Sequence, residues 1–470
     1  MGQRVTRLPQ VRRLPLDGWD GLLLLVLLLE FFAVSRLPFA AKPMGDLNFY
    51  LEAKALAAAL KGTGPWADVA VSRGPAPVLY YTIPFLLVPT GAGEEVFWRA
   101  GFYWNVLWMA VALLGLKRAG AAVSGPLGGV VAGCLVLASP FGVYYAFGIS
   151  AEPPAFLAAA VLSQVWTARI ARRRAPSAGV PWVGMLALAV FLLSRPNAIL
   201  VLPLLGLSAL LLARRHSPDA VDARAMGWLV TLTTVLVLVA PLTLRWLPRT
   251  QPGSSQLENL SHVVLHGRFQ YRTEPFDWRY WDNETRGGSA DYAAWVHVSD
   301  SLERVAAATH TPVSPLRWQW IGDDLRHHPW VTLQCAAIRL LTLNLAFVNS
   351  KAPEAFQVGP ISGPVAYWLF HAAVNLAWVT VLALALRFVI RRPRDLPLCA
   401  PLWVPWTGLL FFHLFTYAEP RYLFPGQPGI VVLAAVALCP WLETRFQGLG
   451  NGRGKAVARA DAAGALGLSS

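Results

Sequence analysis

Apolar stretches recur along the whole chain, and they restrict the fold more than any other feature of the sequence. A membrane-spanning helix needs about 20 mostly apolar residues. Only 14% of the 470 residues are charged, whereas soluble proteins carry about 25%. Segments near the required length lie at 19–35, 78–90, 97–116, 122–147, 153–168, 180–193, 197–213, 226–244, 330–348, 364–388, 398–417 and 427–441. The pattern predicts an all-α polytopic membrane protein with about 10–12 transmembrane segments.

The first apolar stretch follows Trp19 and reads LLLLVLLLEFFAVS. It has no convincing small-residue cleavage site, and many further spans follow it. We therefore interpret it as a retained membrane anchor and not as a signal peptide.

The net charge of +14 is concentrated in short basic clusters beside the spans. Such clusters mark cytoplasmic loops, and their distribution argues against nucleic acid as a partner. Residues 1–18 and 442–470 are therefore predicted to be cytoplasmic, and 36–76 to form the first extracytoplasmic loop. The clusters are Arg4, Arg7, Arg12 and Arg13; RIARRR ending at Arg174; ARRH at 213–216; RFVIRRPR at 387–394; and the tail after Arg445.

The longest polar stretch, 245–329, divides the chain into two membrane modules, 19–244 and 330–441. It holds nine Arg, ten Asp or Glu and six of the nine His, and it is far longer than a connection requires. We expect a small domain of mixed structure over the extracytoplasmic face. No glycine-rich phosphate-binding motif occurs in the chain, so an enzyme of this kind would not use a soluble nucleotide.

The number of crossings is open at two places. If both 78–90 and 97–116 cross, Lys117 and Arg118 lie outside, against the charge rule. Pro84 and Pro89 fit the alternative, in which 78–90 only dips into the membrane. The same conflict recurs near 330–363. By contrast, SRPN at 194–197 interrupts a long apolar stretch and predicts a hairpin of two passes with Arg195 at its turn.

Disulfides and metal centres have little support in the sequence. All four cysteines, Cys134, Cys335, Cys399 and Cys439, lie in apolar stretches without disulfide or zinc spacing, which is typical of core residues. In DDLRHH, the pairs Asp323/His327 and Asp324/His328 have the spacing of a metal-binding helix face. An exposed polar turn before the next span fits this motif better, and we predict that turn.

Ionisable residues cluster at the predicted outer ends of the spans. Transfer of a sugar from a lipid phosphate needs a carboxylate to deprotonate the acceptor and guanidinium groups to hold the phosphate. Aromatic rings would bind the sugar faces. The candidates share the face of the 245–329 segment, and they are Asp46, Tyr50, Arg73, Glu152, Arg195, Glu419, Arg421 and Tyr422.

Five motifs occur in a characteristic order: GDLNFY, GPAPVLYYTIPF, SPFGVYYAFGISAEPPAF, LSRPNAILVLP and EPRYLFPGQPGIVVLAA. In this order the sequence resembles the GT-C superfamily. More narrowly, it is similar to bacterial members related to protein O-mannosyltransferases and lipid A aminoarabinose transferases. The resemblance implies a GT-C-like fold in the bacterial inner membrane. It also implies transfer of a sugar from a polyprenyl-phosphate donor to a lipid, glycan or protein acceptor at the extracytoplasmic face.

The resemblance also implies roles for individual residues. Asp46 corresponds to the catalytic base, Glu152 to a second functional acid and Arg421 to a donor-phosphate ligand. Arg195 and Arg73 are further candidates for the phosphate, and Tyr50, Glu419 and Tyr422 for the substrate. Two departures concern the first loop. RGPAP stands where many relatives carry Lys-Pro-Pro or a similar element, and Leu47 follows Asp46 where many relatives carry a second acid. No metal ligand is assigned, and dependence on a divalent metal ion is left open.

Structural alternatives exist for each candidate residue. Asp46 would cap the following helix, and Glu152 would interact favourably with the dipole at a helix N-terminus. Arg195 would extend its charged group to the membrane surface. Glu419 and Arg421 would form an ion pair that closes a hairpin, and Tyr50 and Tyr422 would belong to an interfacial belt. Two other functions also remain open. They are a transporter or flippase of lipid-linked sugars, which would more often show internal repeats, and a non-catalytic subunit of an envelope polysaccharide assembly.

Overall fold

The computed structural model describes residues 17–35, 47–69, 71, 74–138, 146–171, 182–214, 219–243, 256–275, 288–344, 357–358, 361–417 and 419–442. Its regular structure is almost entirely helical, which confirms the predicted class. The helices are α1 Gly18–Ser35, α2 Leu47–Leu60, α3 Pro75–Leu87, α4 Glu94–Leu137, α5 Glu152–Ala171, α6 Trp182–Ser194, α7 Val201–Ala213, α8 Asp219–Thr243, α9 Gln256–Gly267, α10 Ala290–Thr309, α11 Val313–His327, α12 Pro329–Thr342, α13 Gly363–Arg391, α14 Ala400–Leu414 and α15 427–442. Short 3₁₀ turns cover Trp66–Asp68, Pro196–Leu200, Pro393–Asp395 and Pro420–Gly426. Two antiparallel strands of two residues each, β1 Gln357–Val358 and β2 Ile361–Ser362, precede α13.

Several helices have the length and composition of membrane spans. Four segments of the described chain are long and apolar enough to cross, and they are Glu94–Leu137, Glu152–Ala171, Asp222–Val239 and Arg421–Leu442. Shorter apolar helices cover Pro75–Leu87, Trp182–Ser194 and Asn197–Ala213. Many large apolar side chains on these helices are exposed, and a bilayer would cover them. The protein is therefore an integral membrane protein, whereas the predicted total of 10–12 crossings stays a prediction.

The long helix α4 consists of two arms that fold back on each other. Its backbone leaves helical geometry at Ser124 and Gly125, where Gly125 has φ 74°. A methyl group on Gly129 would meet the Lys117 carbonyl oxygen at 2.6 Å, although in a straight helix residues 117 and 129 would lie about 18 Å apart. The predicted separation into 97–116 and 122–147 is thus confirmed up to Leu137.

The reversal of α4 lies at the same end of the bundle as the start of α1. The Lys117 ammonium group pairs with Asp17 and with Asp20, the latter at 2.7 Å. At the other end of the α4 arm, Glu94 pairs with Lys54 of α2, and Lys61, directly after α2, donates to the carbonyl of Phe85 in α3. Helices α2 and α3 therefore both lie near the start of α4. This arrangement favours the alternative in which 78–90 does not cross.

The predicted hairpin over 180–213 is present. Helix α6 ends at Ser194, the 3₁₀ turn Pro196–Leu200 follows, and α7 starts at Val201. Arg195 stands at the junction with a non-helical backbone, φ −132° and ψ 79°. Helix α5 packs against α6 and α4, and it also contacts the Pro420–Gly426 turn, where Phe156 and Phe424 stack at 4.4 Å. The turn at Arg195 and the YAEPRY motif thus both approach the first turn of α5.

The described residues of 245–329 form three helices, α9 to α11, around a small apolar core that contains Leu265, Phe269 and Ile321. Asp324 connects these helices. Its carboxylate accepts from the Arg268 Nε at 2.7 Å and from both terminal nitrogens of Arg272. The predicted exposed polar turn is therefore wrong for Asp324, whose side chain is 4% exposed. Asp323 is 52% exposed and pairs with Arg326.

The Asp324 carboxylate is expected to make the stability of this segment depend on pH. Burial alone would raise the pKa of Asp324, but hydrogen bonds from Arg272 and Arg268 lower it below its ordinary value. Stability from this group is therefore present above the unfolded pKa, about 3.9, and is lost as the pH falls through the folded pKa.

We expect Asp324→Asn to lower the free energy of unfolding by about 3 kcal/mol at pH 7, because two arginines lose their buried partner. The difference from the wild type should shrink as the pH falls below about 4. Thermal unfolding in detergent micelles measures it. Asp323→Asn is the matched control, with a change within about 0.5 kcal/mol. Equal losses of unfolding free energy in the two variants would contradict the buried ion pairs assigned to Asp324.

Candidate functional site

The centre of the candidate site is Glu152, at the first turn of α5. Pro153 and Pro154 follow it, and proline is favoured at the first positions of a helix because it lacks a backbone N–H. The preceding loop is fixed by two polar side chains. The Tyr81 hydroxyl donates to the Gly148 carbonyl at 3.0 Å and accepts from the Ser150 N–H at 3.1 Å, and the Asn105 amide also donates to Gly148. Glu152 therefore has a defined position, and it is 3% exposed.

Arg195 is the ion-pair partner of Glu152. Its guanidinium contacts the Glu152 carboxylate directly, and Arg195 is 8% exposed. A buried charge needs a partner of opposite sign. Each of the two residues provides that partner for the other, which allows both to be buried in an apolar region. This contact joins the two motifs SAEPPAF and LSRPNAI, which are 43 positions apart in the sequence.

Arg421 is the more accessible arginine of the site. It lies in the Pro420–Gly426 turn, its Nε is 2.7 Å from a Glu419 carboxylate oxygen, and it is 3.9 Å from Glu152. Its side chain is 29% exposed, whereas that of Arg195 is 10% exposed. The ion pair predicted for Glu419 and Arg421 is confirmed. The four charges balance, with two carboxylates and two guanidinium groups.

Tyr422 lies between the two arginines. The guanidinium carbons of Arg195 and Arg421 are 5.1 and 5.4 Å from the centre of its ring. Contacts of this kind stabilise a cation through the negative face of the ring. Tyr422 also stacks on the imidazole of His413 at 4.7 Å. These contacts place the ring inside the charged cluster and not in an isolated interfacial belt.

His413 and Asn197 also belong to the site, although neither was predicted from the sequence. His413 is fully buried, and its Nδ1 lies 3.1 Å from the Tyr417 carbonyl oxygen. A carbonyl only accepts, so Nδ1 carries the proton and Nε2 accepts from the Asn197 amide at 3.4 Å. The sequence signal for His413 was its position inside the apolar stretch WTGLLFFHLF, four residues before the YAEPRY motif begins.

Helix α9 contacts the YAEPRY motif directly, through a backbone hydrogen bond and a pair of stacked rings. The Tyr417 N–H donates to the Val263 carbonyl at 3.0 Å, and the His266 ring stacks on the Tyr417 ring at 4.2 Å. Gly267 permits this approach, because a methyl group there would meet the Thr416 carbonyl carbon at 2.4 Å. The 245–329 segment therefore forms part of the surroundings of the charged site.

Gly267→Ala is expected to separate α9 from this motif. The added methyl group meets backbone atoms, which cannot move aside as a flexible side chain can, so we expect a loss of about 1–3 kcal/mol in stability. The thermal midpoint in detergent measures it. Gly322→Ala in α11 is the matched control, since its methyl group meets nothing within 4 Å. It should stabilise the helix by up to about 1 kcal/mol. An unchanged midpoint for Gly267→Ala would contradict the close approach.

The remaining candidates lie elsewhere. Asp46 and Arg73 fall outside the described residues. Tyr50 is 1% exposed, stacks on Trp98 at 4.4 Å and donates to Glu94. Its described contacts hold α2 against α4, so they support a structural role, and its predicted contact with substrate stays a prediction.

Metal binding is not supported by the described side chains. No group of three or more His, Cys, Asp or Glu with metal-binding geometry occurs among the described residues. In the described part of the site, each carboxylate already lies beside an arginine, Glu152 beside Arg195 and Glu419 beside Arg421. A guanidinium at that position repels a divalent cation, so this cluster does not fit one.

An apolar cavity of about 480 Å³ lies beside helices α5 and α6, which lead to Glu152 and Arg195. Helices α3, α5 and α6 form its walls. Pro154 and Leu193 belong to its lining, and each is two residues from a charged member of the site, Glu152 or Arg195. The other lining residues are aliphatic side chains such as Leu79, Val161, Leu186 and Val190, with the ring of Tyr80.

No protein-family model matches the sequence, and no curated protein matches it. Its structure is similar to the oligosaccharyltransferase AglB from Archaeoglobus fulgidus, solved in complex with an inhibitory peptide and a dolichol-phosphate. That similarity has a TM-score of 0.50 and 12% identity, and it covers 93% of this chain and 52% of the AglB chain. The apo form of the Archaeoglobus fulgidus oligosaccharyltransferase gives a TM-score of 0.48 at 14% identity, over 92% and 52% of the two chains.

This chain therefore spans about half the length of the solved proteins that it resembles. The likeness to AglB is one of fold, and it confirms the GT-C-like membrane fold predicted from the order of the motifs.

Proposed function

We propose that the protein is a membrane glycosyltransferase that moves a sugar from a polyprenyl-phosphate donor to an acceptor hydroxyl. The site lies at the extracytoplasmic face of a bacterial inner membrane, below the domain formed by 245–329. One observation carries the proposal: a partly exposed guanidinium, Arg421, lies in a charge-balanced cluster, and the helices α5 and α6 that lead to this cluster also line an apolar cavity. A lipid phosphate has this combination of an anionic head and an apolar tail.

The donor would bind with its two parts in different surroundings. Arg421 would contact the phosphate, because a planar guanidinium offers paired donors to phosphate oxygens. Arg195, which the Tyr422 ring separates from Arg421, would add a second positive charge that attracts the phosphate. The isoprenoid chain would lie in the cavity between α3, α5 and α6, which buries apolar surface. The dolichol-phosphate bound to AglB is a ligand of the same chemical kind.

Asp46 would act as the general base in the transfer step. Its carboxylate takes the proton from the acceptor hydroxyl as the acceptor oxygen bonds to the anomeric carbon. The bond between that carbon and the phosphate oxygen breaks, and polyprenyl phosphate leaves with the electron pair. Arg421 offsets the charge that develops on the leaving phosphate. Glu152 would hold both arginines in position, and Tyr50, Glu419, Tyr422 and Arg73 are further candidates for substrate contact.

A transfer assay tests the proposal. The purified protein in liposomes is given a radiolabelled polyprenyl-phosphate sugar together with lipid, glycan or protein fractions as acceptors. We expect label to appear in one acceptor fraction and free polyprenyl phosphate to accumulate. Protein-free liposomes give the rate of spontaneous hydrolysis. Absence of transfer to every fraction would overturn the enzyme proposal.

The same liposomes distinguish the two alternatives. A transporter would move the labelled lipid from one leaflet to the other without releasing the sugar. A non-catalytic subunit would do neither. Among the observations on the described residues, the cluster of buried charges near the first turn of α5 favours transfer, because fixed positive charge stabilises the phosphate that leaves.

A further inference from the structure

A column of three aromatic rings connects the 245–329 segment to the charged site. Trp295 of α10 stacks on His266 of α9 at 4.0 Å, with 20° between the ring planes. His266 in turn stacks on Tyr417 at 4.2 Å, with parallel rings. Tyr417 belongs to the YAEPRY motif, so the column ends at the site itself.

Tyr417 has a polar contact at the other end of its ring. Its hydroxyl donates to one Glu419 carboxylate oxygen at 2.6 Å, and the other oxygen of that carboxylate lies 2.7 Å from the Arg421 Nε. Glu419 is 4% exposed, and Arg421 is the more exposed partner. The Tyr417 hydroxyl thus fixes the orientation of the carboxylate that holds Arg421.

The backbone around Tyr417 is tied to the same segment at two more points. The Tyr417 N–H donates to the Val263 carbonyl. The Arg339 guanidinium donates to the Leu414 carbonyl at 2.8 Å and to the Gln270 carbonyl at 3.1 Å. A shift of α9 relative to the membrane helices would therefore move Tyr417 as well.

We propose that Tyr417 is a positioning residue for Arg421 and that α9 sets its position through His266. The inference rests on the proposed function, in which Arg421 holds the donor phosphate. With the hydroxyl bound to one oxygen, Glu419 engages Arg421 through the other. Without the hydroxyl, the Glu419 carboxylate loses the contact that fixes its orientation, and the Arg421 guanidinium that it holds moves with it, away from the phosphate.

Tyr417→Phe tests this, because it removes the hydroxyl and keeps the ring that stacks on His266. We expect the KM for the polyprenyl-phosphate sugar to rise about tenfold with kcat changed less than about twofold, as a hydrogen bond to a charged group would require. The affinity for polyprenyl phosphate without a sugar should fall by a similar factor. Tyr103→Phe on α4, at a tyrosine that is 63% exposed, is the control and should change neither value.

Two further comparisons separate positioning from packing. In the Glu419→Gln background, Tyr417→Phe should change the KM less than about twofold, because the carboxylate on which it acts is gone. His266→Ala should raise the KM in the same direction as Tyr417→Phe. His266→Phe, which restores a stacking ring, should return it towards the wild-type value.

An unchanged KM in Tyr417→Phe, or an equal rise in the presence and absence of the Glu419 carboxylate, would overturn the inference while leaving the proposed function intact. If the wild type binds polyprenyl phosphate but transfers no sugar, the proposed function fails. The affinities of the variants then still decide the role of Tyr417. If the wild type binds no lipid phosphate, both proposals fail.

Discussion

Asp46→Asn is expected to lower the rate of sugar transfer by about 10²–10⁴-fold, the usual contribution of a general base. An amide has almost the shape of a carboxylate, but it cannot take the proton from an acceptor hydroxyl. Donor affinity should change little, because in the proposed function arginines, and not Asp46, hold the phosphate. The loss should therefore appear in kcat, measured with saturating radiolabelled donor.

The alternative role of Asp46 is a helix cap, since it directly precedes Leu47, the first residue of α2. Asparagine caps helices about as well as aspartate, so Asp46→Asn separates the two roles. A catalytic role predicts lost transfer at an unchanged thermal midpoint. Asp46→Ala should add a loss of about 1 kcal/mol in stability if the residue also caps.

Asp68→Asn is the matched control for this experiment, because Asp68 is an exposed carboxylate in the same part of the chain. It should transfer sugar at the wild-type rate. Full transfer by Asp46→Asn would exclude Asp46 as the base and would leave the capping role as the explanation of the residue.

The helices and the hairpin at SRPN could be predicted from the sequence because their signals are local. Apolar runs and interrupting prolines act on neighbouring residues, and α6 and α7 end and begin where that pattern changes. The order of the five motifs likewise predicted a GT-C-like fold.

The pairings inside the site could not be predicted in the same way. Glu152 and Arg195 were both candidates, but their contact depends on how α5 packs against α6. Asp324 was interpreted as part of an exposed turn because its partners, Arg268 and Arg272, are more than 50 residues away. His413 was missed since a single histidine in an apolar run has no characteristic spacing. Each error concerns a partner that only the tertiary structure defines.

The second large effect is expected at Glu152. Glu152→Gln removes the negative charge that Arg195 contacts and that Arg421 approaches. Breaking a buried ion pair from one side costs about 3–5 kcal/mol, because the remaining charge stays buried. We therefore expect a lower thermal midpoint and a loss of transfer of about 10²-fold or more as the arginines move.

A buried pair elsewhere on α5 provides the control. Arg169, in the last turn of α5, pairs with Asp222 at 3.1 Å, and both side chains are less than a tenth exposed. Asp222→Asn should lower the thermal midpoint by a comparable amount. The fraction that remains folded should transfer sugar at the wild-type rate, because this pair lies at the opposite end of α5 from Glu152.

The double variant Glu152→Gln/Arg195→Gln separates stability from function. Removing both charges leaves no uncompensated ion in the buried site, so the thermal midpoint should recover most of its loss. Transfer should stay low, because the positive charge behind the donor phosphate is gone as well. If the double variant instead recovers transfer together with stability, Glu152 and Arg195 are structural counter-ions. The proposed phosphate site would then consist of Arg421 without Arg195.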